Sequence, residues 1–275
     1  MDYSYVHINA VRDDLGETGS DATWLDFVKA GTTLVEKAFM GGAVPGPVFV
    51  PLTEARRFDG NGGKILFTPD LLSSAPTIVD DVTTLGAADY LLYPRNRRWR
   101  NGPYFRIELD PDATGLSSWT VERDIISVTG KWGWYDESEV ISGATVVSTV
   151  VAGSLTWTIE TGKVRVGHLL LVESELVFVT AVTVASPNDT VTVVRGVLGT
   201  TAAGHAGGVA ISQQVAPYDI QWITKSVVAS LWKRAKSGYT GKTVVPELGQ
   251  INLFDVLPKE AIKEAKMVYH REAAL

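Results

Sequence analysis

Apolar residues in this chain change their spacing several times, and each change marks an element. Residues 1–20 mix polar and apolar types without a period and read as an extended arm or loop. Trp24, Phe27, Val28, Leu34, Val35, Ala38 and Phe39 then recur every three or four positions, one apolar stripe of an α-helix. Ser20 or Asp21 supplies its N-cap and Gly41-Gly42 its end. A second stripe, Ile220, Ile223, Val227, Val228, Leu231 and Trp232, follows Pro217, which suits the first turn of a helix. Asp219 lies in that first turn and Lys233, Arg234 and Lys236 in the last, as the helix dipole favours, and Gly238 is the expected C-cap. A shorter terminal helix starts at Pro258 and runs through Ala261, Ile262, Ala265 and Val268.

Between the helices the pattern shortens to that of strands. Ala55–Phe58 and Lys64–Phe67 flank Asp59-Gly60-Asn61-Gly62-Gly63, whose residues tolerate positive φ, so a hairpin is expected. Further strands are expected at Thr77–Val82, Ala88–Tyr93, Tyr104–Leu109 and Trp119–Thr129. Residues 140–215 are rich in Val and Thr and poor in charge. There Leu176–Val184 and Thr190–Val194 read as a hairpin across Pro187-Asn188-Asp189. That stretch reads as a small β-barrel or sandwich inserted in a larger domain.

Composition narrows the chemistry. The 275 residues contain no cysteine, which excludes disulfides, zinc–thiolate and iron–sulfur sites and thiol catalysis. A formal charge of -6 argues against tight nucleic-acid binding, which rests on a basic face. No basic segment followed by an apolar run opens the chain, and no apolar run reaches the ~18 residues of a membrane span, so neither a secretory leader nor a spanning helix is expected.

Motifs of known chemistry are weak. Gly241-Lys242-Thr243 ends like a phosphate loop, but Lys236 stands where the motif needs glycine, and the segment follows a helix rather than leading into one. His7, His168, His205 and His270 are scattered and read as surface or hydrogen-bonded residues. Asp110/Asp112 and Glu173/Glu175 offer paired carboxylates, read as a turn and a solvated strand face. Of Asp80-Asp81 only one side chain can face a core. Arg95, Arg97, Arg98 and Arg100, with Trp99 among them, form the one concentrated basic patch. It reads as a contact for an acidic neighbouring subunit, with phosphate gripping as the alternative.

Three segments together resemble the head–tail connector (adaptor) proteins of tailed bacteriophages. They are the N-terminal helix with Arg56-Arg57-Phe58-Asp59-Gly60-Asn61-Gly62-Gly63; Val128-Thr129-Gly130-Lys131-Trp132-Gly133-Trp134; and Pro217 to Ser237, where Leu231-Trp232-Lys233-Arg234 is similar to the family's L-Y-x-R helix ending, with Trp232 for Tyr. Thr192–Thr201 with Ala203, His205 and Gly207 resembles a V-x-R-G-x-x-G-T-x-A-x-H stretch frequent in phage structural proteins.

The resemblance and the periodicity together imply an α+β fold. Its core would be helical (N-terminal, long C-terminal and short terminal helices), with a β-rich region, over residues 1–139 plus 216–275. Residues 140–215 would be the inserted β-barrel or sandwich. The function implied is structural and non-enzymatic: a homo-oligomeric ring, of twelve copies by the family pattern, at the neck of the virion, made in the host cytoplasm. It would join the portal protein to a tail-proximal neck, stopper or tail protein and let packaged duplex DNA pass without sequence-specific binding. No cofactor and no membrane partner are implied. Ring and portal contacts are expected at Arg95, Arg97, Arg98, Arg100, Trp232, Arg234, Tyr269 and Arg271. The rivals are a tail or baseplate β-module that binds carbohydrate or a receptor, and a glycan hydrolase using Asp110, Asp112, Glu173 or Glu175.

Overall fold

The computed structural model describes residues 2–40, 49–95, 102–112, 115–237, 242–245, 249–252 and 258–269. Two compact units divide the chain, one over Gly46–Glu137 and the other over Met1–Pro45 with Ser138–Glu272.

The first unit is a seven-stranded sheet of β1 (Leu52–Phe58), β2 (Ile65–Leu71), β3 (Thr77–Asp80), β4 (Thr83–Leu85), β5 (Tyr90–Tyr93), β6 (Tyr104–Leu109) and β7 (Ile126–Trp132). Its order is β4-β3-β7-β2-β6-β5, with β1 also paired to β7. Every pairing is antiparallel. Inward positions of β7 alternate through Ile126 and Val128, and Trp132 is fully buried. They join Leu71, Ile78, Ile107, Leu109 and Trp119 in the core. Arg56 lies over the Trp132 ring at 4.4 Å and is held by Glu54 at 2.6 Å and Asp70 at 2.5 Å.

Two expectations fail here. The Asp59–Gly63 segment does not close a hairpin: β1 pairs with β7 and β2 with β6. The segment is clasped instead by the chain before β7, where Gly60 N–H donates to the Glu122 carbonyl at 2.8 Å and Trp119 N–H to that of Gly63 at 2.9 Å. Asp124 N–H donates to the Asp59 carboxylate at 2.9 Å, so the strands on either side are drawn to different partners. For the same reason residues 119–125 form this clasp, and the strand expected from Trp119 begins only at Ile126. Asp80 is buried and accepts from Thr120 N–H at 3.0 Å, whereas Asp81 turns at φ 53°.

In the second unit, β8 (Glu137–Thr145), β9 (Thr156–Glu160), β10 (Leu169–Val172), β11 (Glu175–Thr183), β12 (Asn188–Val194) and β13 (Ala210–Val215) form a six-stranded sheet in the order β8-β13-β10-β11-β12-β9. Just past β8 the chain bridges back to β9 (Val146 opposite Ile159, and Val147 N–H to the Thr158 carbonyl at 2.9 Å), which closes the sheet into a barrel. Its interior is apolar, filled by Val146, Val150, Trp157, Ile159, Leu170, Val177, Val179, Val191, Val193 and Ile211. β11 and β12 pair from Phe178↔Val194 to Thr183↔Thr190.

Helices pack on the outside of this barrel. They are α1 (Asn9–Arg12), α2 (Asp21–Met40), α3 (Tyr218–Lys236) and α4 (Lys259–Tyr269). Ser20 Oγ caps α2 by accepting from Thr23 N–H at 3.3 Å. Trp24 stacks on Trp232 with ring centres 4.2 Å apart. Gly31 allows α2 and α3 to approach, since a Cβ there would lie 2.4 Å from Val228 Cγ2. Five successive residues of β11, Glu175 to Val179, are buried because the barrel interior takes one face and α2 covers part of the other. β14 (Lys242–Val245) and β15 (Gly249–Asn252) form a separate two-stranded hairpin.

The expected helical connector core is therefore corrected. Both large apolar cores, around Trp132 and around Trp157, lie within antiparallel sheets, and the fold is β-rich. The amphipathic stripes were real, but a one-sided stripe needs only a surface to cover, and in α2 and α3 that surface is each other and the barrel wall. Residues 1–20 are likewise not a free arm: Tyr3, Tyr5, Val6, Ile8 and Val11 are buried in this unit.

Candidate functional site

The densest polar chemistry sits at one end of the barrel, where β10 turns into β11 and the chain leaves β12. The turn places Glu173 in the left-handed region at φ 54° with its carboxylate exposed, and sends Glu175, fully buried, inward. Arg195 follows the last residue of β12 and forks onto Glu175: Nε to Oε1 at 2.7 Å and Nη2 to Oε2 at 2.5 Å. Its Nη1 donates to the Val151 carbonyl at 2.9 Å, its Nη2 also to the Ala203 carbonyl, and its guanidinium lies 4.9 Å from the Trp157 ring centre. Gly196 N–H and Ala203 N–H give Glu175 two further hydrogen bonds, at 3.0 and 3.1 Å.

His205 completes the group. Its Nε2 lies 2.8 Å from Glu175 Oε2 and its Nδ1 2.7 Å from Glu173 Oε2, while its backbone pairs with Val150. Gly196 at φ 60° and Gly199 at φ 76° let the chain curl tightly enough to return His205 to this place. Burial alone would push the Glu175 carboxyl up, but the bonds from Arg195, Ala203, His205 and Gly196 hold it down at about 2. The Arg195–His205 stretch thus folds on itself through one carboxylate supplied by the neighbouring hairpin. The solvated-strand reading of Glu175 is wrong, because the left-handed turn at Glu173 breaks the two-residue alternation on which it rested.

This group resembles catalytic machinery in residue type only. A general base needs a free ring nitrogen, and both nitrogens of His205 face carboxylates. The fork of Arg195 fills the coordination sites of Glu175, and no group of three or more His, Asp or Glu among the described residues could hold a metal ion. Asp110, of the hydrolase reading, accepts from Asp112 N–H at 3.0 Å in a tight turn.

Two smaller groups fasten the N-terminal segment. Tyr3 and Tyr5 both donate to Glu36 Oε1 on α2, the latter at 2.6 Å. Burial raises the Glu36 carboxyl to about 7, against the pull of the two tyrosines. His7 packs edge-on against His168 at 4.7 Å, and Ser4 Oγ donates to the Gly167 carbonyl at 2.8 Å. Burial, with the nearby Lys225 and Arg165, lowers His7 to about 4; burial, with His7 and Arg165, lowers His168 to about 3. Neither the tyrosine–glutamate group nor the histidine pair was visible beforehand, since each joins residues far apart in sequence.

The residues expected to form contacts are dispersed. Arg95, 5.9 Å from the Tyr93 ring centre, lines a cleft of about 250 Å³ with Tyr90, Tyr104 and Ser74. Trp232 is half-buried between α2 and α3, and Arg234 is half-buried in the last turn of α3. Tyr269 donates to Asp219 at 2.9 Å at the opposite end of α3, about 20 Å along the helix from Trp232. Arg97, Arg98, Arg100, Arg271 and His270 lie outside the described residues, as do Gly41-Gly42 and Gly238.

No protein-family model, no curated protein and no solved structure matches this chain. No helix among the described residues is long and apolar enough to cross a membrane.

Proposed function

We propose that this chain is a structural protein of a tailed-phage virion, assembled as a ring at the head–tail junction. There it would join the portal to the tail-proximal neck proteins around the passing DNA. The observation that carries the reading is the closed state of the Glu175–Arg195–His205 group: the residues best suited to catalysis are saturated by one another and serve to lock a loop. Exposed apolar side chains point the same way. Tyr218 is 72% exposed and Trp222, one turn later on α3, 59%, and Val140 on β8 is 74% exposed. Aromatic anchors of this kind are typical of protein interfaces. The resemblance of the Arg56–Gly63, Val128–Trp134 and Pro217–Ser237 segments to connector proteins names the assembly. The net charge of -6 suits a passage through which a polyanion slides.

Negative-stain electron microscopy of the purified full chain tests this reading. Rings with a central opening are expected. A monodisperse monomer at all concentrations, and in the presence of portal protein, would overturn it.

A further inference from the structure

Among the described residues the barrel has an open edge at β8, and one strand pair joins no sheet. Along the described residues, closure between Val146–Val147 and β9 uses up the β9 edge, but β8 begins nine residues before that point and its first half flares beyond it. β8 is hydrogen-bonded to β13 on one side only. Lys163 Nζ donates to the Ser142 carbonyl at 2.7 Å, which assigns that carbonyl to the side away from β13, and by the two-residue alternation of a strand the backbone groups of Val140 and Ser138 share that side. Lys163 and the left-handed Gly143 (φ 68°) blunt the far end of this edge, as sheet edges generally are, whereas Ser138, Glu139 and Val140 are exposed and, among the described residues of this unit, no side chain caps their backbone. Beside it stands Tyr218, which donates to Glu139 at 2.6 Å.

The β14–β15 hairpin has the complementary need. It holds four residue pairs, Lys242↔Asn252 to Val245↔Gly249, and hydrogen-bonds to no other strand among the described residues. A lone two-stranded hairpin of this length is marginal in water and gains stability when a third strand joins it. Its first strand, Lys242-Thr243-Val244-Val245, is β-forming and carries one base, whereas β8 opens with Glu137 and Glu139. Pairing β8 with a second β8 would set those acids against each other; the hairpin strands carry Lys242 and no acid, so pairing with them does not.

We infer that the hairpin of one copy adds to the Ser138–Val140 edge of the next, extending its six-stranded sheet. Edge and hairpin are different surfaces of the same chain, so the contact is head-to-tail and repeats from copy to copy, which builds a ring when the rotation between copies closes. The inference rests on the ring reading above and names the contact that would build it.

Because the chain lacks cysteine, introduced thiols are unique. Full-length Val140→Cys and Thr243→Cys are prepared separately, mixed and oxidised. A cross-linked dimer is expected in the mixture and not in either variant alone. In parallel, Val140→Pro removes a backbone N–H of this edge, and should convert assemblies to monomers while the circular dichroism spectrum stays unchanged. Rings that persist in Val140→Pro with no mixed cross-link overturn the strand addition and leave the ring reading intact. Dimers of Val140→Cys alone would show edge-to-edge pairing and overturn it as well. Monomers of the unmodified chain under every condition defeat both.

Discussion

Glu175 and His205 meet at 2.8 Å, Oε2 to Nε2, with both side chains closed to solvent and thirty residues of chain between them. Arg195 neutralises the carboxylate from the other side. A buried ion group of this kind adds little to stability over a well-packed apolar replacement, but removal of one member leaves a charge without a partner.

Glu175→Gln should therefore cost about 3–5 kcal/mol, because Arg195 stays buried and charged. For a domain of this size that is a fall in Tm of roughly 6–20 °C. Glu173→Gln, whose carboxylate is exposed, should cost no more than about 1 kcal/mol. Thermal unfolding of the two variants checks the contrast, and equal losses would mean that the group is not closed.

Gly31 and Gly60 test close packing in the two units. Gly31→Ala drives a methyl against Val228 and should cost about 1–3 kcal/mol, with much of it recovered in a Gly31→Ala/Val228→Ala double variant. At Gly60 the obstacle is the Thr120 carbonyl, 1.6 Å from the added Cβ, and backbone cannot step aside. Gly60→Ala should be the more damaging, and no side-chain change nearby should rescue it. Gly153, with nothing within 4 Å, should accept alanine without loss. Urea unfolding of the set reads all three.

Docking of the N-terminal segment should depend on pH in two opposed ways. Glu36 is raised from 4.5 to about 7, so its contribution is full below pH 4.5 and is lost as pH rises through 7. His7 and His168 are lowered from 6.5 to about 4 and 3, so theirs is full above pH 6.5 and is lost as pH falls toward 3–4. Glu36→Gln removes only the first slope. Relative to the unmodified chain it should gain up to about 3 kcal/mol between pH 5 and pH 8, read from urea midpoints. Parallel profiles would show that Glu36 is not held in a dry site.

Helix and hairpin positions were legible because they depend on local spacing. The stripes at Trp24–Phe39 and Ile220–Trp232 and the Pro187-Asn188-Asp189 turn each correspond to an element. What the stripes could not say is which layer forms the core, since an amphipathic helix looks the same on a bundle or on a barrel wall. The Asp59–Gly63 turn misled for a related reason: positive-φ residues mark a reversal, but the partner of each strand is chosen by distant residues, here 119–132. The Arg195–His205 stretch stood out as a motif, yet its meaning required Glu175, and no local rule links a residue on β11 to a loop after β12.

Proposed above as a ring component, the chain should pack against neighbouring protein copies around a passage. Cryo-electron microscopy of the parent particle tests it most directly. Repeated copies of both β cores, around Trp132 and Trp157, are expected to encircle the DNA channel at the head–tail junction. A particle whose neck holds no density for them, or one that carries the chain as isolated single copies elsewhere, would contradict it.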